Sequence, residues 1–372
     1  MFLDDGAVPK PGFELRQPRL AATLEAFGRG GAETFYRGPI AVELVRSVKA
    51  AGGLWQAADL AAYRVVERAP VKFELSSGAT VTTVPPPSAA GPVLAQCLQV
   101  LDELHWQEAG PEQRMHLVAE ALRRAFYDRA RYLGDPDYVT APLARLASRE
   151  YARRRAETID REHATTDASV LATPRLEGDN TTHIAIVDRF GNRVAATMSI
   201  NTPFGSTFVA GGTGVVLNNE MDDFALATQD GNFYGLGSSG PNLLGPARRP
   251  LSSMSPTFVE DRRGVLVLGT PGGSRILSMV LLGVLDYLSE PVPDPQRIVA
   301  LPRYHHQFVP DRIEVEPSSF DPQTLDALRA LGHTVETGKR KWGNMQAVFW
   351  DRASGQSSAA SDPRGIGGPA WY

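Results

Sequence analysis

The sequence predicts an α+β protein with one compact core. Helical spacing dominates the first 160 residues, interrupted by a single hairpin pattern at 71–84. After Thr181 the character changes to short β-branched runs separated by glycine turns. No internal repeat is visible, and neither a G-x-G-x-x-G after a first strand nor a Walker pattern occurs, so nucleotide binding is not expected.

Residues 1–16 read as loop, with Pro9, Pro11 and Gly12. A helix is expected over 20–27, ending at Gly28 and the Gly30-Gly31 pair. A second over 39–51 aligns Ile40, Leu44, Val45 and Val48 on one face and stops at Gly52-Gly53. Residues 56–63 form a short helix. Strands at 71–75 and 79–84 pair across Ser76-Ser77-Gly78, and Pro85-Pro86-Pro87-Ser88 leads into helices over 90–104, 111–133 and 147–159. Arg123, Arg124, Arg129 and Arg131 are read as a solvated or ion-paired face. His105, His116 and His163 lack ligand spacing, so no metal site is expected. Residues 160–180 are polar and read as an exposed linker. Beyond it come a hairpin of 183–188 and 193–199, a glycine-rich loop through Gly205, Gly211, Gly212 and Gly214, and strands 258–261 and 265–268. A helix over 275–288 follows. The tail carries strands at 312–315, 333–337 and 346–350, a helix over 322–331 and a Ser361-Asp362-Pro363-Arg364 turn.

With 372 residues, 42% of them hydrophobic, the chain can bury a large core as one or two domains. A net charge of −4 gives no reason to expect a nucleic-acid partner. Cys97 is the one cysteine, so an internal disulfide and a cysteine metal site are excluded. The opening MFLDDG has neither a basic region nor an apolar run and does not read as a secretory signal. The longest apolar stretch, 276–288, is too short to span a bilayer, and no membrane partner is expected. The compartment is left open.

The chemistry centres on Asn180-Thr181-Thr182-His183, where two threonines follow a polar, turn-rich run and open a strand. A threonine hydroxyl is a poor nucleophile without a base, and a free α-amine on the same residue is one solution. Such an amine has a pKa of roughly 7.7–8.0, so a usable fraction of it is unprotonated at neutral pH. A mid-chain threonine gains one only if the backbone is cut before it. By themselves two threonines opening a strand are most often structural, since threonine favours strands and caps turns. Three later motifs change that reading: NTPFGS at 201–206 leading into LNNEMDDF at 217–224, RPLSSMSP at 249–256, and TPGGSRI at 270–276.

With these four ordered motifs the chain closely resembles the γ-glutamyltransferase (glutathione hydrolase) family of N-terminal-nucleophile hydrolases, over nearly its whole length down to Ala360-Ser-Asp-Pro-Arg364. The resemblance implies an αββα sandwich of two stacked, mainly antiparallel sheets between helical layers. It implies self-cleavage of Asn180–Thr181 into fragments 1–180 and 181–372, intertwined as a non-covalent heterodimer. Thr181 matches the family nucleophile, and Thr182 is near the site without being the nucleophile. Ser199 stands where the family usually has a threonine whose hydroxyl contacts the nucleophile. Asn201, two residues on, is expected on the same strand face, holding the amino-acid end of a γ-glutamyl group. The acidic run alone reads first as a turn built on Asx side chains; the resemblance reverses that, and Glu220 and Asp223 match acceptors for the substrate ammonium. Asp222 is expected to be structural. Ser252 and Ser253 match donors to the substrate carboxylate, Gly272 and Gly273 the oxyanion hole, and Tyr234 a lid tyrosine on a loop over 225–245.

The implied reaction is γ-glutamyl transfer or hydrolysis of glutathione-like amides through a γ-glutamyl-Thr181 ester. Water, an amino acid or a dipeptide accepts the acyl group, and no cofactor takes part. A related acylase acting on another amide and an inactive homologue are the alternatives. One departure stands out. The family carries a substantial further segment before the point where this sequence begins, with an arginine for the substrate carboxylate, and no arginine here maps to it. Weak hydrolysis, lowered stability and exposed apolar surface on residues 1–180 are therefore expected of these 372 residues alone.

Overall fold

The computed structural model describes residues 2–165, 181–225, 236 and 240–371. The chain opens with helices α1 (Pro18–Tyr36), α2 (Pro39–Ala50) and α3 (Ala57–Ala62), then strands β1 (Val71–Glu74) and β2 (Thr80–Thr83). Helices α4 (Ala90–Glu103), α5 (Pro111–Tyr132), α6 (Leu143–Leu146) and α7 (Arg149–Ala156) follow. Next come β3 (Thr181–Val187), β4 (Arg193–Ser199), β5 (Val209–Ala210), β6 (Val215–Val216), β7 (Thr257–Glu260), β8 (Gly264–Gly269) and α8 (Arg275–Ser289). The tail adds α9 (Pro295–Ala300), β9 (Tyr304–His305), β10 (Ile313–Val315), α10 (Pro322–Ala330), β11 (Val335–Thr337), β12 (Gln346–Asp351) and β13 (Ser357–Ser361).

Two units divide the chain, and the division does not follow the Asn180–Thr181 junction: Met1–Glu67 with Thr202–Asn219, and Arg68–Asn201 with Glu220–Tyr372. The smaller unit packs α1, α2, α3 and the β5–β6 pair around Ile40, Leu44 and Ala210. Here α1 overruns the expected stop at Gly28. The chain passes through Gly28 and Gly30 and kinks at Gly31, where φ is 61°. Glycine adopts that backbone without strain, so it turns the helix rather than ending it.

In the larger unit a six-stranded antiparallel sheet runs β1-β2-β7-β8-β12-β13. Alternate residues on one face, among them Val81, Val259, Leu266, Leu268, Ala347 and Phe349, join Leu94 and Leu98 of α4, Leu122 of α5 and Leu277 and Val280 of α8 in one core. The β3–β4 hairpin packs on β8 and β12 as a second layer. All six residues of β8 are consequently buried. That double coverage explains why 265–268 reads as a continuous apolar run rather than an alternation. Side by side, β11, β10 and β9 make a small flanking sheet.

Exposed apolar side chains are not confined to residues 1–180. Ile184, Ile186, Val194 and Met198 of the hairpin are 43–51% exposed. The strand Ser357–Ser361 was not expected from its composition, SSAAS, which has no apolar alternation; pairing with β12 defines it. Among the described residues no helix is long and apolar enough to cross a membrane.

Candidate active site

Thr181 is the first residue of β3 and pairs directly with Ser199, the last of β4. Their hydroxyl oxygens lie 3.0 Å apart. Ser199 Oγ also accepts the backbone N–H of Asn201 at 2.8 Å, and its hydroxyl bonds the Glu220 carboxylate. A serine has one proton and two lone pairs. With the proton given to Glu220 and one lone pair filled by Asn201, the remaining lone pair accepts from Thr181. Thr181, Ser199 and Glu220 so form a directed hydroxyl chain running from the candidate nucleophile to a carboxylate.

A pocket gathers Thr181, Ser199, Asn201, Glu220, Asp223, Ser252, Ser253 and Gly273 with Arg129, Leu236, Leu251, Met254 and Ile276. Asn201 reaches it by a route the strand-face argument misses. It lies beyond β4, is 2% exposed, and has φ 73°. Asparagine tolerates this left-handed backbone better than most residues, and the turn rather than strand alternation directs its side chain.

Glu220 and Asp223 sit at either end of a 3-10 turn, which puts residues i and i+3 on one side. Asp222 is exposed and does not line the pocket. Burial raises the Glu220 carboxyl, partly opposed by Ser199. Burial, followed by the neighbouring Glu220 charge, pushes Asp223 up to about 7, with Arg129 pulling the other way. The turn is held by Asn242, which sequence reasoning did not single out. Its Nδ2 donates to the Asp223 carbonyl at 2.8 Å, its Oδ1 accepts from Leu251 N–H at 2.9 Å, and its carbonyl accepts from Ala225 N–H at 2.9 Å. One buried amide thereby fixes the acidic turn against the segment leading to the serine pair. Ser252 is pinned from its other side: its N–H donates to the Pro87 carbonyl at 2.8 Å and its carbonyl accepts from Ala89 N–H at 2.9 Å.

Gly273 lines the pocket one residue after Gly272 and two before α8. Backbone N–H groups at a helix start carry partial positive charge, suited to an oxyanion. Gly272 has φ 145°, a backbone that favours glycine, and a Cβ there would lie 2.3 Å from Met279 Cε, the end of a flexible side chain. Tyr234 and most of the expected lid lie outside the described residues; of that loop Leu236 lines the pocket.

The arginines of α5 are ion-paired or exposed as expected, except Arg129. Arg123 and Arg124 are buried and ion-paired, to Asp311 and Glu120 respectively, whereas Arg131 is exposed. Arg129 is 2% exposed and lines the pocket. The signal was present: Val118, Leu122, Ala125 and Arg129 follow 4-3-4 spacing, so Arg129 continues the apolar stripe of the helix. Of the histidines, His116 is buried with Nδ1 2.8 Å from His333 Nε2. Among the described residues no group of three His, Cys, Asp or Glu side chains is arranged to hold a metal ion.

The fold is an α+β sandwich, with helices on one face of the six-stranded antiparallel sheet and the β3–β4 hairpin on the other. It matches the crystal structure of cephalosporin acylase from Bacillus halodurans with a TM-score of 0.81, covering 97% of this chain and 63% of that one at 24% identity. The family profile described as Gamma-glutamyltranspeptidase matches residues 1–372, and the chain belongs to that family. It is 41% identical over 336 residues to a glutathione hydrolase proenzyme of Pseudomonas sp. (strain A14), covering 89% of this chain and 58% of that protein. It is 39% identical over 371 residues to a glutathione hydrolase proenzyme of Escherichia coli (strain K12), covering 98% and 63% respectively. The chain thus spans about three-fifths of the length of these relatives.

Proposed function

We propose that the chain carries the catalytic part of a γ-glutamyl hydrolase and transferase for glutathione and related γ-glutamyl amides, matured by self-cleavage at Asn180–Thr181. The observation that carries this reading is the Thr181 hydroxyl, bonded to Ser199 and opening on a pocket lined by two carboxylates and two serines. In maturation the Thr181 oxygen attacks the Asn180 carbonyl, and the acyl group shifts from nitrogen to oxygen. Water then hydrolyses the ester. One fragment ends in the Asn180 carboxylate, and the other begins with a free Thr181 amine, joined non-covalently to the first.

In turnover that amine takes the Thr181 hydroxyl proton as the oxygen attacks the γ-carbonyl of the donor. The Gly272-Gly273 amides stabilise the oxyanion; removing one such donor typically costs about 10²–10³ in rate. The amine returns the proton to the leaving amide nitrogen. Glu220 and Asp223 hold the donor ammonium, Ser252 and Ser253 contact its carboxylate, and Asn201 borders the same amino-acid end. Water, an amino acid or a dipeptide then takes the acyl group from the Thr181 ester.

Amino-terminal sequencing of the purified protein tests this. Two fragments with Thr181 at the new terminus are expected, and a single chain for Thr181→Ala. A γ-glutamyl anilide should be hydrolysed in preference to the glutaryl anilide, which lacks the ammonium. A cut elsewhere, or processing of Thr181→Ala, would overturn the nucleophile; preference for the glutaryl compound would make the protein an acylase of another class.

A further inference from the structure

We infer that Gln307 is the positioning residue of the Gly272-Gly273 turn: its amide oxygen anchors the Ser274 hydroxyl and so sets the direction of the backbone N–H groups offered to the oxyanion. The inference rests on the γ-glutamyl reading and adds to it a residue that does not itself line the pocket.

The turn cannot hold itself. Gly272 and Gly273 both have positive φ, 145° and 57°, and neither has a side chain to lock that backbone. Their carbonyls are taken up at the start of α8, by Arg275 N–H at 3.1 Å and Ile276 N–H at 3.2 Å. The first N–H groups of a helix have no partner within it, so their direction depends on what fixes the chain on either side. Upstream, Thr270 is fully buried; its Oγ1 accepts from Asn344 N–H at 3.1 Å and donates to the Pro271 carbonyl at 2.9 Å. Downstream the next residue is Ser274, the buried N-cap of α8. Its side chain makes no capping bond to the helix, and its hydroxyl donates instead to Gln307 Oε1 at 2.7 Å.

The groups around Gln307 fix where the protons lie. Gln307 Nε2 donates to the Val309 carbonyl at 3.0 Å, which turns Oε1 toward Ser274 Oγ and His305 Nε2, 2.7 and 2.8 Å away. An amide oxygen accepts through two lone pairs, so both neighbours donate. His305 then carries its proton on Nε2, and its Nδ1 accepts the Ser278 hydroxyl at 2.6 Å. Burial, with the Arg275 charge adding to it, pushes His305 down to about 3 and keeps it in this neutral form. Ser274 and Ser278 are four residues apart and therefore on one side of α8. Gln307 grips the opening of that helix at two points, directly and through His305.

Two measurements on the full chain test the anchor and its consequence separately. Amide hydrogen exchange reads the anchor. In Ser274→Ala the peptide covering 270–276 should exchange about 2- to 13-fold faster, the equivalent of one neutral hydrogen bond, while β1 and β2 keep parental rates. Gln307→Leu should do at least as much, and the double variant little more than Gln307→Leu alone, because the same bond is already lost. Ser274→Ala removes a single hydroxyl and serves where Gln307→Leu unfolds. Turnover of a γ-glutamyl anilide reads the consequence. In Ser274→Ala kcat should fall by about 2- to 13-fold with KM within about twofold, since the turn acts on the oxyanion and not on the bound donor. Ser274→Thr restores the hydroxyl and should recover most of the lost kcat. Unchanged exchange at 270–276, exchange raised uniformly through the chain, or faster exchange there with parental kcat overturns the inference. A rise in KM at constant kcat does the same. A parent that turns over no γ-glutamyl anilide, with 270–276 loosened in both variants, overturns the functional reading and leaves the anchor in place.

Discussion

Thr181 and Ser199 face each other across the last rung of the β3–β4 hairpin with their hydroxyl oxygens 3.0 Å apart. Because the contact is a cross-strand pair, its geometry is set by backbone register rather than by flexible side chains. Ser199→Ala removes the acceptor for the Thr181 proton and strands the Asn201 N–H. Slower fragment formation and a lower kcat are expected, by about 10- to 150-fold if the bond is worth roughly 1.5–3 kcal/mol in the charged transition state. Ser199→Thr restores the hydroxyl and should recover both. Gel-resolved cleavage kinetics check this, and an alanine variant that matures at the parental rate would remove Ser199 from the reaction.

A second prediction concerns pH. The Asp223 carboxyl is held near 7, above its unfolded value, by burial and by Glu220. The folded state therefore binds the proton more tightly than the unfolded chain. The stabilisation is full below the unfolded pKa of roughly 3.9 and is lost as pH rises through about 7. Binding runs the opposite way, since an ammonium needs the ionised carboxylate. Affinity for L-glutamate should climb as pH rises through 7, and Asp223→Asn should flatten that limb while lowering affinity at pH 8. A limb that persists unchanged in Asp223→Asn would assign the titration to another group.

A third prediction takes up Asn242, whose buried side chain bridges the Asp223 carbonyl and the Leu251 N–H. Asn242→Ala leaves both groups without their partner, at about 1–3 kcal/mol each. Urea unfolding should show the loss in the midpoint with the slope unchanged. Ligand affinity should fall as well, although Asn242 does not line the pocket. Parental stability would show that water replaces the amide fully.

The elements most legible in the sequence were those whose pattern and punctuation agree, such as α2, the β1–β2 hairpin and α8. Those defined by partners were not: β13 is SSAAS, and its strand character comes from pairing with β12. The site divides the same way. Thr181, Glu220, Asp223 and the serine pair were reached through motifs contiguous in sequence, and the fold gathers them at one pocket. Arg129 and Asn242 lie outside those motifs. A charged residue on an apolar stripe and an asparagine in a loop acquire meaning only from what the fold sets beside them. Asn201 was found by a motif but for a mistaken local reason, because a left-handed turn and not strand alternation brings it to the pocket.

The final prediction separates backbone strain from crowding at Gly272. Its φ of 145° disfavours any side chain, and an added Cβ would meet Met279 Cε at 2.3 Å. Gly272→Ala should therefore cost about 1–3 kcal/mol for the backbone, with a smaller addition for crowding because Met279 Cε ends a flexible side chain. Met279 sits in the first turns of α8, fully buried, so Met279→Ala alone should destabilise by about 2–5 kcal/mol through the cavity it leaves. In the double variant the new methyl has room, and the combined cost should fall below the sum of the separate values by only the small crowding share. The backbone share remains. If Gly273 and its neighbour form the oxyanion site, that share should appear as a lower kcat with KM little changed, even where the double variant regains stability. Full recovery of kcat along with stability would show that Gly272 matters for packing on α8 and not for the geometry of the amides.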